Sequence, residues 1–422
     1  AAPASVAGNL SVTSGALDLG AYTADRSAAG GTLSVSDGAT LRIGGTNTLP
    51  ANYATVTLGP TSTTAYNGAA QSVSGQAYGH LSLSGGAKTL AGPASTAGDL
   101  TISAGAALDV SPSNHALTVS GNWSNSGVFT PQSGTVTFNG AAPQTLTGTS
   151  AAATPFHNLT LAQSGGSTGL SLADHNATVS GTLTLTSGRI TLNASDLTLL
   201  STAAAVQGSL DANNMVVADS SGRMCREYSS VDPFTYPIGN AADTYQYSPL
   251  TLSFETGPAE TACVNLANAR HPNLPSSVTT YLNRFWRVSH SGSETFSASA
   301  TFAYPQEDVT GGSETALSAM RFSAGEWNLD PFALDQDLNT LSISGLDSFS
   351  DFTAGNPSPT SVSIEFFQST RTPAGVELSW KTGMENDVLG FNLFRRQSPD
   401  EPFTPLNSVV IPASGSAEGS LY

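Results

Sequence analysis

Two cysteines, six histidines, scattered acids and one G-x-S-x-G string are the parts of this 422-residue chain that can do chemistry, so their spacing is the first question. Gly165-Gly166-Ser167-Thr168-Gly169 fits a nucleophile elbow, but that device needs a strand before it and a helix after it. Here LSLADHNATV follows, which reads as another strand and puts Ser167 in a turn. His80, His115, His157, His175, His271 and His290 show neither H-x-H nor H-x3-H spacing, so no pair reads as a metal clamp. Asp174-His175 can begin a catalytic dyad, although the sequence places no Ser or Cys beside it. Glu307-Asp308 with Glu314 can offer oxygen ligands to Ca²⁺, yet they lack the spacing of a calcium loop and read better as a solvated acidic loop. Trp286, Trp327 and Trp380 can build a sugar-stacking platform, but each lies in an alternating strand, where core packing is the usual fate of tryptophan. The chain is therefore expected to have no catalytic residue, metal site or cofactor.

Cys225 and Cys263 stand 38 positions apart without CxxC or Cys/His spacing. In an oxidising compartment they can pair; the alternative is two buried free thiols.

The length allows two to four domains. Only 11% of residues are charged, Gly numbers 42, and the apolar content is too high for disorder. A formal charge of −17 repels polyanions, so nucleic acid is excluded as a partner. No run of 18 apolar residues occurs, which leaves no membrane-spanning helix. The start at Ala1-Ala2-Pro3 reads as a mature chain after removal of a signal peptide, hence a secreted, extracellular protein at the cell surface.

The elements that must position these residues fall into two kinds. Residues 1–210 hold four Lys/Arg and seven Asp/Glu, against ten and twenty-four in 211–422, and only eight of the 32 aromatics. The first part is a series of short alternating runs such as LSVTSGALDL, DLTISAGAALDV and GTLTLTSGRITL, broken at Ser-Gly, Asp-Gly or Asn-Gly. Its phrases recur: PASVAGNLSVTSGALDL from Pro3 returns as PASTAGDLTISAGAALDV from Pro93, and YNGAAQSVSG from Tyr66 as FNGAAPQTLTG from Phe138. Such a pattern predicts a β-solenoid over 1–215, with coils of about 20 to 25 residues stacked about 4.8 Å apart. Serial small antiparallel sandwiches are the rival, disfavoured because the aromatics are too few to fill several cores. A lyase or hydrolase of the parallel β-helix type would gather paired carboxylates or Asp clusters on one face, and eleven dispersed charges in 210 positions do not. From about 221, longer aromatic strands such as YLNRFWRVSHSG predict a β-sandwich over 216–356, and a Pro-Ser linker introduces a last module over 357–422.

Three resemblances add to this all-β reading. SGNWSNSGVFTPQSGTVTFNGAAPQTLTG, Ser120 to Gly148, resembles the stacked strand repeats of secreted bacterial surface proteins and filamentous-haemagglutinin-like adhesins. The order Tyr-Pro-Ile-Gly, Phe-Trp-Arg-Val, Gly-Glu-Trp resembles the sandwich module that follows such repeats, which implies no catalytic role. Val376-Glu377-Leu378-Ser379-Trp380 and Phe391-Asn392-Leu393-Phe394-Arg395-Arg396 resemble the second and third strands of a fibronectin type III domain; the sequence given stops at Tyr422 before the last two strands, which either follow in a longer polypeptide or come from another subunit by β-augmentation.

Function is then expected in surfaces and edges. The first reading is a self-associating subunit of a filament, sheath or surface layer, assembling as a homo-oligomer or polymer through two edges. One is the opening phrase at Pro3, Ala7, Gly8, Leu10 and Val12, and the other is the sandwich edge at Leu421 and Tyr422. The second is a monomeric adhesin or glycan-binding stalk whose partners are glycans or other surface proteins.

Overall fold

A computed structural model describes residues 5–149, 152–165, 169–241, 244–257, 261–292, 295–356, 362–373, 375–385, 390–396, 398, 401, 403–414 and 419–422. The chain is all-β: a β-solenoid of about ten turns runs into further sheets, and the described helical residues are two single-turn 3₁₀ segments.

The solenoid has three faces. Its longest sheet stacks eleven parallel strands in chain order, from Ala16–Asp18 through Leu100–Ile102 and Trp123–Asn125 to Ile238–Asn240, with Gln246–Tyr247 added antiparallel. A second face stacks Leu10–Val12, Gly30–Val35 and Tyr53–Leu58 at the start, and seven strands from Ala77–Tyr78 to Gln207–Gly208 thereafter. The third comprises Gln71–Val73 to Val128–Thr130, then Thr154–Phe156 to Met224–Glu227. Coil length varies from 17 residues, between paired Thr64 and Leu81, to 27, between Leu197 and Met224. The strands alternate because each inward side chain joins one continuous core. Leu81, Leu83, Leu100, Ile102, Trp123 and Leu146 are all buried, with half-exposed Ser and Thr between them.

The repeated phrase has a structural meaning at its A-G-N/D-L element. Asp99 Oδ1 accepts the Asn122 N–H at 2.8 Å, and Asn122 Oδ1 in turn accepts the Thr145 N–H at 2.9 Å, one coil further on. Asn9 serves Thr32, Asn176 serves Asp196, and Asp196 serves Arg223 in the same way. A side-chain oxygen thus satisfies a main-chain donor at each coil's corner, where the strand ladder is interrupted. Before Asn122 the glycine is required by proximity rather than by its φ: a Cβ on Gly121 would lie 2.3 Å from the Gly98 carbonyl carbon, whereas Gly8 in the first copy has open space beside it.

The parallel ladder continues through Val216–Val217 and Ile238–Asn240, so the sheets pass from the solenoid into the following layers without a break. Met224–Glu227 is where direction changes: it pairs parallel with Leu197–Leu199 and antiparallel with Thr261–Ala267. From there one sheet goes on through Phe285–Ser291 and Asp351–Gly355, facing a five-stranded sheet built around Leu250–Thr256, Ser297–Ala303 and Thr340–Leu346. Trp286, Phe302 and Phe352 pack between the two sheets, with 5.1 Å between successive ring centroids.

Cys225 and Cys263 lie directly opposite each other at this change of direction and form a disulfide. The bond closes a 38-residue separation, and both cysteines are buried. Chain-entropy arguments give such a crosslink about 2–4 kcal/mol. The Cys225→Ser/Cys263→Ser variant is therefore expected to unfold at a lower denaturant concentration by that amount, and an unchanged midpoint would contradict it.

After residue 361, Val362–Thr372 and Gly375–Glu385 form a two-stranded ribbon. Tyr422 exchanges main-chain hydrogen bonds with Trp380 and stacks on its indole at 5.2 Å, while Phe391 meets both rings. Gly375–Glu385 is thereby flanked on both sides. Val362–Thr372 is paired on one side only among the described residues, with Ile364 and Phe367 each 55% exposed.

Candidate functional site

The side chains singled out for chemistry are distributed along the fold, and most of the described ones have local partners; His115 is half-buried. Ser167 lies outside the described residues. Asp174 is exposed with φ 57°, while His175 turns inward and meets Thr154 Oγ1 through Nε2 at 2.9 Å. Thr154 Oγ1 also accepts from Asn125 Nδ2 at 2.9 Å, so His175 is linked through its partner Thr154 to Asn125, neither of them marked in the sequence. Burial holds the His175 imidazole below its ordinary pKa, in the neutral form. This trio replaces apolar side chains in successive inward positions and lies inside the coil stack, away from the grooves described below.

His80 Nδ1 accepts the Asp99 N–H at 2.9 Å, and His157 Nδ1 meets Ser180 Oγ at 3.1 Å. His271 Nε2 lies 3.1 Å from Asp351 Oδ2 in a nest of Phe285, Phe322 and Trp327, and His290 packs against Phe296 and Phe349. Glu307, Asp308 and Glu314 have separate partners: Glu307 accepts from Gln246, Asp308 from Arg284, and Glu314 from Tyr304 and Gln306. Trp123, Trp286 and Trp380 are buried, and Trp327 donates to the Asn273 carbonyl, so the three tryptophans proposed as a platform do not share a surface. Among the described residues no three of His, Cys, Asp and Glu converge as metal ligands.

What the solenoid does present is an edge. Leu10–Val12 pairs only with Gly30–Val35, and Ala16–Asp18 only with Thr40–Ile43, among the described residues. Among the described residues the main-chain groups on the other side of both strands have no sheet partner, and Leu10, Leu17 and Leu19 are only partly buried there. Arg26 braces the approach by donating to the Gly8 and Ala7 carbonyls, each at 2.8 Å. Ala7 and Gly8 are exposed and Val12 is buried, while Pro3 lies outside the described residues. Leu421 is 68% exposed at the far ribbon, beside Lys381.

A second surface lies on the outer face of the sheet carrying the disulfide. Two adjoining hollows of about 520 Å³ each share Asn265 and Arg287 and include Arg223, His290 and Asp351. Arg223 is tied to Asp196 at 2.6 Å, and this carboxylate raises its pKa. Arg287 is exposed and lies over the Phe285 ring at 4.6 Å.

No protein-family model, no curated protein and no solved structure matches this chain.

Proposed function

We propose that this chain is a non-enzymatic, extracellular structural protein that self-associates into a filament, sheath or surface layer, of the kind its repeats resemble. The observation that carries the reading is the first coil: two strands with one unpaired edge each, flanked by half-exposed leucines. Free main-chain donors and acceptors beside apolar side chains are a template for another strand. The other end of the coil stack is continuous with the sandwich sheets, so like cannot meet like through coil ends in a head-to-tail chain. The partner surface is the free strand Val362–Thr372, with its exposed Ile364 and Phe367, which makes the contact heterologous and the assembly open-ended. A disulfide in the fold fits an oxidising, extracellular setting.

Negative-stain microscopy at high protein concentration tests this reading. Linear arrays are expected for the parent, and dispersed particles for Leu10→Lys/Leu17→Lys, which places two ammonium groups at the coil edge. Dispersed single particles from the parent would overturn it. They would turn attention to the second reading, a monomeric adhesin or glycan-binding stalk, which the hollows beside Arg287 favour.

A further inference from the structure

The second solenoid face carries a feature that the assembly reading does not use. Strands Ala94–Thr96, Leu117–Val119, Thr135–Phe138, Asn158–Ala162 and Leu183–Ser187 stack in parallel, and their outward positions fall in register. Ser95 is opposite Thr118, Thr118 opposite Thr137, Thr137 opposite Thr160, and Thr160 opposite Thr184. The result is a column of five hydroxyls, each half-exposed between buried neighbours. Among the described residues none of the five hydroxyls has a hydrogen-bond partner. Beside them runs a shorter column, Thr135, Asn158 and Thr182, tied together by Asn158.

Stacked strands repeat at about 4.8 Å, and alternate residues on one strand at about 6.6 Å, so the five hydroxyls repeat at the first spacing and Thr135, Asn158 and Thr182 stand beside three of them at the second. Threonine is stiff at χ1, which holds the four threonine hydroxyls in place before any ligand arrives. The seven strands of this sheet contain no charged residue, although the chain as a whole carries −17. A surface that complements it is therefore neutral, regular and made of hydroxyl donors and acceptors. No aromatic ring points outward on these strands, because Tyr78 and Phe138 are buried; stacking on sugar rings is thus not provided for.

We infer that this face binds the surface of ice, whose oxygen lattice repeats at distances close to both spacings of the array. The five free hydroxyls take the place of lattice water, and the methyl groups between them order the adjoining layer. The inference is independent of self-association, since it uses neither the coil edge nor the ribbon.

The test is inhibition of ice recrystallisation by the full chain in a frozen sucrose solution. The parent is expected to keep ice grains small. Thr137→Lys/Thr160→Lys, with two outward charges at the centre of the column, is expected to lose the effect while keeping its circular-dichroism melting curve. Thr178→Lys/Thr198→Lys, in register on the third face, is expected to retain it. Grain growth equal to that in buffer with the parent, or undiminished inhibition by Thr137→Lys/Thr160→Lys, would overturn the inference. Retention on crystalline cellulose without any effect on ice would overturn it too, and would assign the array to a polysaccharide lattice.

Discussion

Trp123→Ala is expected to destabilise the middle of the solenoid by about 3–5 kcal/mol, the usual cost of emptying a buried aromatic site. Trp123 is fully buried, with Phe129 at 5.0 Å, Phe156 at 5.6 Å and Phe138 at 6.0 Å between ring centroids. These four rings come from neighbouring coils, so the void would open between coils and could not be refilled by a single side chain. The indole N–H of Trp123 is buried without a hydrogen-bond partner among the described residues. An unpaired buried donor is itself unfavourable by about 1–3 kcal/mol. Trp123→Phe is therefore expected to cost much less than Trp123→Ala, because it removes that donor while keeping a ring. Denaturant unfolding of the two variants measures both effects, and equal losses would show that the rings do not pack as described.

Arg284→Met is expected to cost a similar amount, about 3–5 kcal/mol, by leaving a carboxylate buried without its cation. The Arg284 guanidinium is fully buried and satisfied on three sides: Nε by Asp308 Oδ2, Nη1 by Asn240 Oδ1 at 2.7 Å, and Nη2 by Gln246 Oε1 at 2.7 Å. Asn240 ends the parallel ladder and Gln246 lies in the antiparallel strand added to it, Arg284 lies beside Phe285–Ser291, and Asp308 belongs to the segment beyond Ser297–Ala303. One side chain thus fastens the last coil to the sandwich. Burial raises the Asp308 pKa, and Arg284 opposes that rise. With the folded-state pKa raised, the unfolded chain loses this proton first as pH rises, so the contribution of Asp308 to stability falls with rising pH. Removing Arg284 enlarges the raise. The deficit of Arg284→Met should accordingly be greatest near neutral pH and shrink toward acid pH, where Asp308 takes up a proton. A deficit independent of pH would mean that the arginine acts through packing alone.

The fold was legible where chemistry repeats. Alternation in LTVSGNW or GTVTFNG sets one side chain inward and the next outward, and glycine or Asx closes each coil, so strands and corners can be read directly. For Cys225 and Cys263 the sequence leaves a disulfide and two buried free thiols both open, and the register of their strands brings them into a disulfide. The reason for the recurring A-G-N/D-L element was not readable, because Asp99 acts on Asn122 and Asn122 on Thr145, each one coil away. Val216–Val217 and Ile238–Asn240 continue the ladder inside a stretch whose composition has already changed, since the aromatics there fill the sandwich while the backbone still stacks. In sequence Asp308 reads as part of a solvated acidic loop, yet it is buried, because its cation Arg284 lies 24 residues upstream, just before Phe285–Ser291. The free hydroxyl column was not legible, since its members are spaced unevenly in sequence and align only through register.

The central claim is that the edge of the first coil accepts a strand from another copy. Amide hydrogen exchange resolved to Leu10–Val12 and Ala16–Asp18, compared at dilute and concentrated protein, tests it most directly. Exchange at these strands is expected to slow as concentration rises, together with Val362–Thr372, while buried strands such as Leu100–Ile102 stay unchanged. Exchange at the coil edge that is the same at every concentration would contradict the claim.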